Sequence, residues 1–239
     1  MMKNAMKKLI DNYVLLARFF PCIISALPLF VLAFFLSGDI ELKQLAQFLC
    51  SMKFYGGLTL SVVALYFYAQ IIRFVSKLFE TSYFTKSTSF PTTYLMTYAD
   101  NAYSKSYKDK YRKLVKQDFG IDLLDETGEA RDADEAKKRL NEVTKHVILK
   151  IKEGYLVMKH NIWYGFVRNL IGGAIFSVIF CLMDIVIGVT FVKSPRLVIV
   201  SSVLLIPYVL LLVFWKPLLK QNAEAYAKQL IAEYVSASR

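Results

Sequence analysis

The stretch LIGGAIFSVIFCLMDIVIGVTFV, residues 170–192, decides the fold class of this chain. Asp184 is its only charged residue, and roughly 20 apolar residues in a helix cross the apolar core of a bilayer. Comparable apolar stretches cover residues 19–36, 57–75 and 197–215. The sequence therefore predicts an all-α membrane protein with four transmembrane helices, paired two and two.

Composition agrees with a membrane protein that has a basic aqueous part. The 239 residues are 56% hydrophobic, carry a formal net charge of +11 and have a mean hydropathy of +0.40. Apolar runs combined with excess Lys and Arg are typical of integral membrane proteins. Pro21 and Pro28 lie in the first apolar stretch, so we expect a kinked or tilted helix there.

The distribution of cations predicts the orientation. With four spans, 25 of the 30 Lys and Arg residues fall on the side of the termini and of the segment between spans two and three. Because cytoplasmic loops carry the excess of Lys and Arg, this side is expected to face the cytoplasm. The predicted parts are an amphipathic cytoplasmic N-terminus (1–18), a transmembrane hairpin (19–75), a cytoplasmic helical basic domain (76–163), a second transmembrane hairpin (164–215) and a cytoplasmic C-terminal helix (216–239).

The basic insertion between the hairpins is predicted to be helical. One basic helix should run from about residue 98 to 118, followed by an acidic turn region. A second helix should begin at Asp132, where Glu135 three residues later completes a capping-box pattern. Its apolar residues recur at helical spacing and define a buried face: Ala136, Leu140, Val143, Val147 and Ile151.

Two polar stripes run along the predicted spans. The first follows one face of span three and consists of Gly173, Ser177, Cys181, Asp184 and Gly188. The second follows one face of span two and consists of Tyr66, Gln70, Arg73 and Lys77. Lipid penalises such faces, so each stripe is expected either to pack against another helix or to line a water-filled path.

The basic helix combines cations with aromatic rings. Its candidate ligand-binding residues are Lys105, Tyr107, Lys108, Lys110, Tyr111, Arg112, Lys113 and Lys116. Cations track phosphates and rings stack on bases, so the pattern suits a nucleotide or a single-stranded oligonucleotide. It also suits anionic lipid headgroups, or a solvated face on which the tyrosines merely pack.

Signatures of enzymes and metal sites are missing from the sequence. It contains no Walker A loop, GxSxG or HExxH motif and no CxxC pair, and its two histidines, His146 and His160, are 14 residues apart. We therefore expect no catalytic residues, no metal and no cofactor, and a function other than enzyme catalysis.

Three stretches carry a resemblance to a known class of proteins. SFPTTYLMTYAD (89–100), AKKRLNEVTKHV (136–147) and YGFVRNLIGG (164–173), together with the overall topology, resemble four-span membrane effectors of bacterial anti-phage systems. The related proteins are the SMODS-associated four-span effectors and the membrane subunit of Hailong systems. The resemblance implies an oligomeric ion-conducting effector, encoded beside a partner nucleotidyltransferase and gated by a nucleotide or short oligonucleotide at its cytoplasmic face. In Hailong-like systems this ligand would be single-stranded DNA that holds the channel closed. The resemblance transfers no functional residue.

The expected function is thus a ligand-gated pore. We expect a homo-oligomer in the lipid bilayer, with a tetramer as the working assumption, that takes part in anti-phage defence and senses a cyclic nucleotide or single-stranded oligonucleotide. The alternative is a membrane-anchored interaction protein that binds a partner protein or anionic lipid without conducting ions.

Overall fold

The computed structural model describes residues 13–37, 52–86, 89–151 and 154–237, and within these ranges the chain forms helices and no strand. The described residues divide into two compact units. Residues 13–79 and 165–216 form what we call the apolar unit. Residues 80–164 and 217–237 form the basic unit. The all-α class expected from the sequence is confirmed.

The first apolar stretch is bent, as its prolines predict. A π-helical turn, Leu15–Phe19, leads into α1 (Phe20–Ser25), and α2 (Leu27–Ser37) follows at an angle of 46°. Pro28 is the second residue of α2 and has no N–H to donate across the break. Most of the predicted N-terminal segment 1–18 and most of the loop after α2 lie outside the described residues.

Three long helices supply the other membrane-length elements. They are α3 (Met52–Lys86), α8 (Tyr155–Thr190) and α9 (Pro195–Val213). By length and hydropathy, the described residues hold three helices able to cross a membrane, or four if the bent α1–α2 pair is one span. The predicted domain boundaries at 75/76 and 163/164 fall inside α3 and α8, because both helices continue beyond their apolar stretches.

Helices α8 and α9 form the antiparallel hairpin expected from the short turn between them. Lys193 adopts a left-handed conformation with φ of 49°. Ser194 then caps α9, its side chain accepting a hydrogen bond from the backbone N–H of Leu197 at 3.4 Å. Pro195 is the first residue of α9, a position where its missing N–H costs nothing.

The outer surface of the apolar unit is strongly hydrophobic. Phe67 is 62% exposed, Phe74 64%, Val186 58% and Phe191 81%. Large exposed apolar side chains are unfavourable in water and favourable against lipid tails. Together with the long apolar helices, they are compatible with a multi-pass membrane protein.

The basic unit has a helical core of its own. It contains α4 (Pro91–Tyr94), α5 (Lys105–Phe119), α6 (Glu126–Arg131), α7 (Ala133–Ile151) and most of α10 (Trp215–Ala237). All five residues of the predicted apolar face of α7 are buried. Four of them, Leu140, Val143, Val147 and Ile151, share one core with Tyr111 of α5 and with Leu230 and Tyr234 of α10. The prediction that this face is buried is confirmed.

Local capping interactions explain where these helices begin and end. The N–H of Glu135 donates to Asp132 Oδ1 at 2.9 Å, which confirms the predicted start of α7. Helix α5 begins at Lys105, not near residue 98, because Ser104 caps it. It ends at Gly120, whose φ of 67° is readily adopted by glycine. The predicted acidic turn region contains α6, which starts where Asp125 Oδ1 accepts from the N–H of Gly128 at 2.7 Å.

Candidate functional site

The polar stripe of α8 is packed inside the apolar unit. Ser177, Cys181 and Asp184 are all fully buried. The hydroxyl of Ser177 donates to the carbonyl of Ser25 in α1 at 2.9 Å, and Asp184 Oδ2 accepts from the hydroxyl of Ser201 in α9 at 3.4 Å. Helices of the same chain therefore cover this stripe.

The glycines of this stripe allow the close approach. A Cβ atom at Gly173 would lie 2.7 Å from Ser25 Cβ, and one at Gly188 would lie 2.9 Å from Val198 Cγ2. Real Cβ atoms do not approach other atoms so closely. Gly173 thus fits α8 against α1, and Gly188 fits it against α9, in the manner of small-residue contacts between membrane helices.

Asp184 itself is enclosed by protein. Its Oδ1 atom has no hydrogen-bond partner within the described part of the chain, so the carboxyl group is held by one long hydrogen bond from Ser201. Nearby, the hydroxyl of Tyr208 donates to the carbonyl of Ile24 at 2.5 Å and ties α9 to α1. Asp184 and Arg73 do not form an ion pair with each other.

The polar stripe of α3 lies on the outside of the same unit. Tyr66 is 51% exposed, Gln70 and Arg73 are half-buried and Lys77 is exposed. The face that α3 turns inward is a different one, formed by Ala69, Ile72 and Ser76. One copy of the chain therefore covers the second stripe only in part.

The predicted ligand-binding helix, α5, turns three of its eight candidate residues into the core of the basic unit. Lys108, Tyr111 and Arg112 are at most 9% exposed. The Arg112 guanidinium donates to the carbonyls of Leu124 at 2.9 Å and Met96 at 3.0 Å. It also pairs with Glu129 at 3.1 Å and lies over the ring of Tyr98, 4.0 Å from its centroid. Arg112 therefore holds the segments around α5 together.

Lys108 and Tyr111 are likewise occupied by internal contacts. The ammonium of Lys108 donates to the carbonyl of Asp100, and burial lowers its pKa because the charged form loses hydration. The ring of Tyr111 packs edge-to-face on Tyr234, with centroids 5.5 Å apart. Burial raises the pKa of the Tyr111 hydroxyl well above its usual range. Neither side chain is presented to a ligand.

The remaining candidates on α5 are at the surface. Lys105 pairs with Glu126, and Lys116 Nζ lies 2.7 Å from Asp122 Oδ1. The ring of Tyr107 stacks on Tyr103 at 4.9 Å. Lys110 and Lys113 are exposed and form no ion pair with the described residues. The interleaved cations and rings of the sequence thus separate in space, because successive residues of a helix point to different faces.

A second cationic surface lies where α4 packs beside α7. A cavity of about 380 Å³ opens there, and its described lining residues are Phe84, Ser89, Phe90, Thr93, Lys137, Lys138 and Asn141. We call it the Phe90 cavity. A neighbouring cavity of about 250 Å³ shares Phe90 and Asn141 with it, and another of about 380 Å³ shares Ser89 and Lys137.

The Phe90 cavity was missed from the sequence because its parts are distant along the chain. The signal present was the pair of stretches 89–100 and 136–147, which carry the family resemblance and prove to be packed together. Nothing in their spacing indicates a shared cavity, since about 40 residues separate them.

Metal-binding groups and similar proteins give no further assignment. The described residues contain no cluster of three or more His, Cys, Asp or Glu side chains that could hold a metal ion. Comparison of the chain with protein-family models, curated proteins and solved structures found no match.

Proposed function

We propose that this chain is a four-span protein of the bacterial inner membrane whose copies assemble around an ion-conducting path. In this arrangement the spans are paired two and two, and the termini and the basic unit lie in the cytoplasm. The polar stripes of α3 from several copies line the path. An anionic ligand bound by the basic unit controls it.

The exposed α3 stripe is the observation that carries this proposal. Gln70 lies within a candidate span, Ser61–Phe84, and is only half-buried by its own chain. An amide facing lipid loses its hydrogen bonds to water, at a cost of several kcal/mol. A second copy or a water-filled path removes that cost. Around the end of the apolar stretch 57–75, Arg73 and Lys77 add positive charge to the same face.

The α8 stripe has a supporting role in this arrangement. Because α1 and α9 cover it, Asp184 belongs to the scaffold that holds the spans together and not to the wall of the path. The sequence left both roles open for this stripe, and its packing favours the scaffold.

The nature of the ligand is supported by charge and by resemblance. The chain is basic, with a net charge of +11, and exposed lysines without ion-pair partners among the described residues occur on α5 and α7. Such surfaces favour polyanions. The resemblance to four-span anti-phage effectors supports a nucleotide or short oligonucleotide as the ligand. It also supports a partner nucleotidyltransferase and a role in defence.

The exposed part of the α3 stripe also fits a second candidate function. If the α3 stripes of two copies pair directly, the polar side chains of this stripe are removed from lipid without a conducting path. The protein would then be a membrane anchor that presents the basic unit to a partner protein or to anionic lipid.

Ion flux in liposomes separates the two functions. The reconstituted protein should conduct ions in at least one of two conditions, in the presence or in the absence of added nucleotide. Under that condition, Gln70→Leu should reduce the flux by roughly tenfold or more because it removes a polar group that solvates ions. Phe74→Leu, an exposed apolar position on the same helix, is the matched control and should leave the flux unchanged. Impermeable liposomes under every ligand condition, with a stable oligomer present, would leave the anchor as the function.

A further inference from the structure

We infer that the Phe90 cavity is the ligand site of the basic unit and that it binds a nucleotide. The phosphate would lie on Lys137 and Lys138, and the base would lie against the ring of Phe90. This assignment refines the proposed function, on which it rests for the statement that a ligand controls the protein. It places the ligand away from α5, the helix that the sequence favours.

The charged groups of the cavity are suited to a phosphate. Its described lining residues include two lysines and no carboxylate. Lys138 is exposed and has no ion pair within the described ranges. Lys137 lies 3.7 Å from Asp134, which is 98% exposed. Exposed ion pairs contribute little free energy, so a phosphate can replace Asp134 as the partner of Lys137 at small cost.

Phe90 provides a fixed ring surface beside these cations. Its ring is 39% exposed and stacks on the buried ring of Phe84, with centroids 5.0 Å apart and planes inclined by 27°. The backbone of Phe90 is extended, as expected before Pro91. Its carbonyl accepts from the N–H groups of Thr93 at 2.8 Å and Tyr94 at 3.1 Å. A ring held in this way loses little entropy when a base stacks on it.

Polar groups near the ring can bind the edge of a base. Asn141 is exposed, one turn along α7 from Lys137, and its amide offers both donors and an acceptor. Ser89, which also lines the cavity, adds a hydroxyl group. The cavity volume of about 380 Å³ falls within the range of roughly 300–1,000 Å³ that small-molecule sites occupy.

The neighbouring surfaces are less suited to a nucleotide. Glu80 lines the smaller adjoining cavity and Asp100 lines the other, so each places a carboxylate where a phosphate would come. On α5, Lys110 and Lys113 line none of these cavities, and the tyrosines nearby are buried or already stacked. Of these three cavities, only the Phe90 cavity has described lining residues that combine lysines and an exposed ring without a carboxylate.

Binding measurements on the full-length protein in detergent test this assignment. The probes are a fluorescently labelled ATP and a short labelled oligothymidylate, followed by fluorescence anisotropy. Lys137→Glu and Lys138→Glu should each weaken binding by about tenfold or more, because each removes a charge-assisted contact. Phe90→Leu keeps an apolar side chain but removes the ring and should weaken binding by about tenfold. The single variants Lys110→Glu and Lys113→Glu each make the same charge change outside the cavity and should bind as the wild type does.

Other results would overturn the assignment. Loss of binding in the α5 variants, with normal binding in the Lys137 and Lys138 variants, would place the ligand on α5. Binding to phosphatidylglycerol vesicles that depends on the lysines but not on Phe90, with no binding of either nucleotide probe, would make the cavity a lipid headgroup site. Unchanged melting temperatures would show that the variants remain folded.

The binding result is independent of conduction. If the protein binds nucleotide in the Phe90 cavity but never conducts ions, the ligand site stands and the proposed pore is wrong. If it conducts ions but binds neither probe, the pore stands and the ligand site is wrong.

Discussion

Helices α3 and α8 carry polar stripes that look alike in the sequence and have opposite places in the apolar unit. On α8 the stripe is covered by α1 and α9, and Asp184 is fully buried. On α3 the stripe is at the surface, and Tyr66 is half exposed. A polar stripe at membrane depth therefore does not indicate by itself whether a helix contacts its own chain or something else.

The size of the residues accounts for the difference. The α8 stripe contains Gly173, Ser177 and Gly188, which let neighbouring backbones approach closely and be hydrogen-bonded. The α3 stripe contains Tyr66, Gln70 and Arg73, whose long side chains keep a neighbouring helix at a distance. Small residues thus mark contacts within the unit, whereas large polar residues mark a surface that needs another copy or water.

Helix α5 shows the same contrast, between buried and exposed polar residues, within one helix. Arg112 is buried among carbonyls and Glu129, whereas Lys113, the next residue, is exposed without an ion-pair partner among the described residues. We expect Arg112→Met to lower the free energy of unfolding by about 3–5 kcal/mol, because it leaves the Glu129 carboxylate buried and unpaired. Lys113→Met should change it by less than about 0.5 kcal/mol. Unfolding in detergent followed by circular dichroism measures both, and equal effects would contradict the burial of Arg112.

The α8 stripe is expected to be intolerant of larger side chains. Gly173→Leu should destabilise the protein by about 1–3 kcal/mol or more, because the new side chain meets Ser25. Gly57→Leu is the matched control, since no heavy atom lies within 4 Å of a Cβ atom at that position. A shift in melting temperature for the first variant alone supports the close contact of α8 and α1. A melting temperature of Gly173→Leu equal to that of the wild type would contradict it.

The carboxylate of Asp184 is expected to matter little for conduction. Asp184→Asn keeps the shape of the side chain and its contact with Ser201, so stability should change by about 1 kcal/mol at most. Ion flux in liposomes should remain at the wild-type level, in contrast to the loss expected for Gln70→Leu. If Asp184→Asn abolishes the flux at an unchanged melting temperature, the α8 stripe lines the conducting path and the scaffold role is wrong.

Part of this architecture follows from the sequence alone. The bend after Ser25, the buried face of α7 and the start of α7 at Asp132 are local consequences of proline, helical spacing and capping. The burial of Arg112 and Tyr111 does not follow from the local sequence. Their partners, Glu129 and Tyr234, come from elsewhere in the chain, so a pattern within α5 cannot reveal that they are buried.

For the candidate sites, too, the sequence predicts which residues share a helix face but not what they contact. The spacing of Gly173, Ser177 and Asp184 correctly groups them on one face, but the identity of the covering helices depends on the tertiary fold. The Phe90 cavity requires residues 89–93 and 137–141 to meet. That meeting depends on the packing of α4 on α7, which no periodicity in either segment encodes.

The reactivity of engineered cysteines most directly tests the contrast between α3 and α8. Gln70→Cys and Ser177→Cys would be introduced separately, with Cys50 replaced by Ser, and treated in membranes with a water-soluble methanethiosulfonate reagent. Native Cys22 and Cys181 are buried and provide the background. We predict that Gln70→Cys is modified at least about ten times faster than Ser177→Cys, because polar residues of a conducting path are in contact with water. Modification of Ser177→Cys at the same rate or faster would contradict this account.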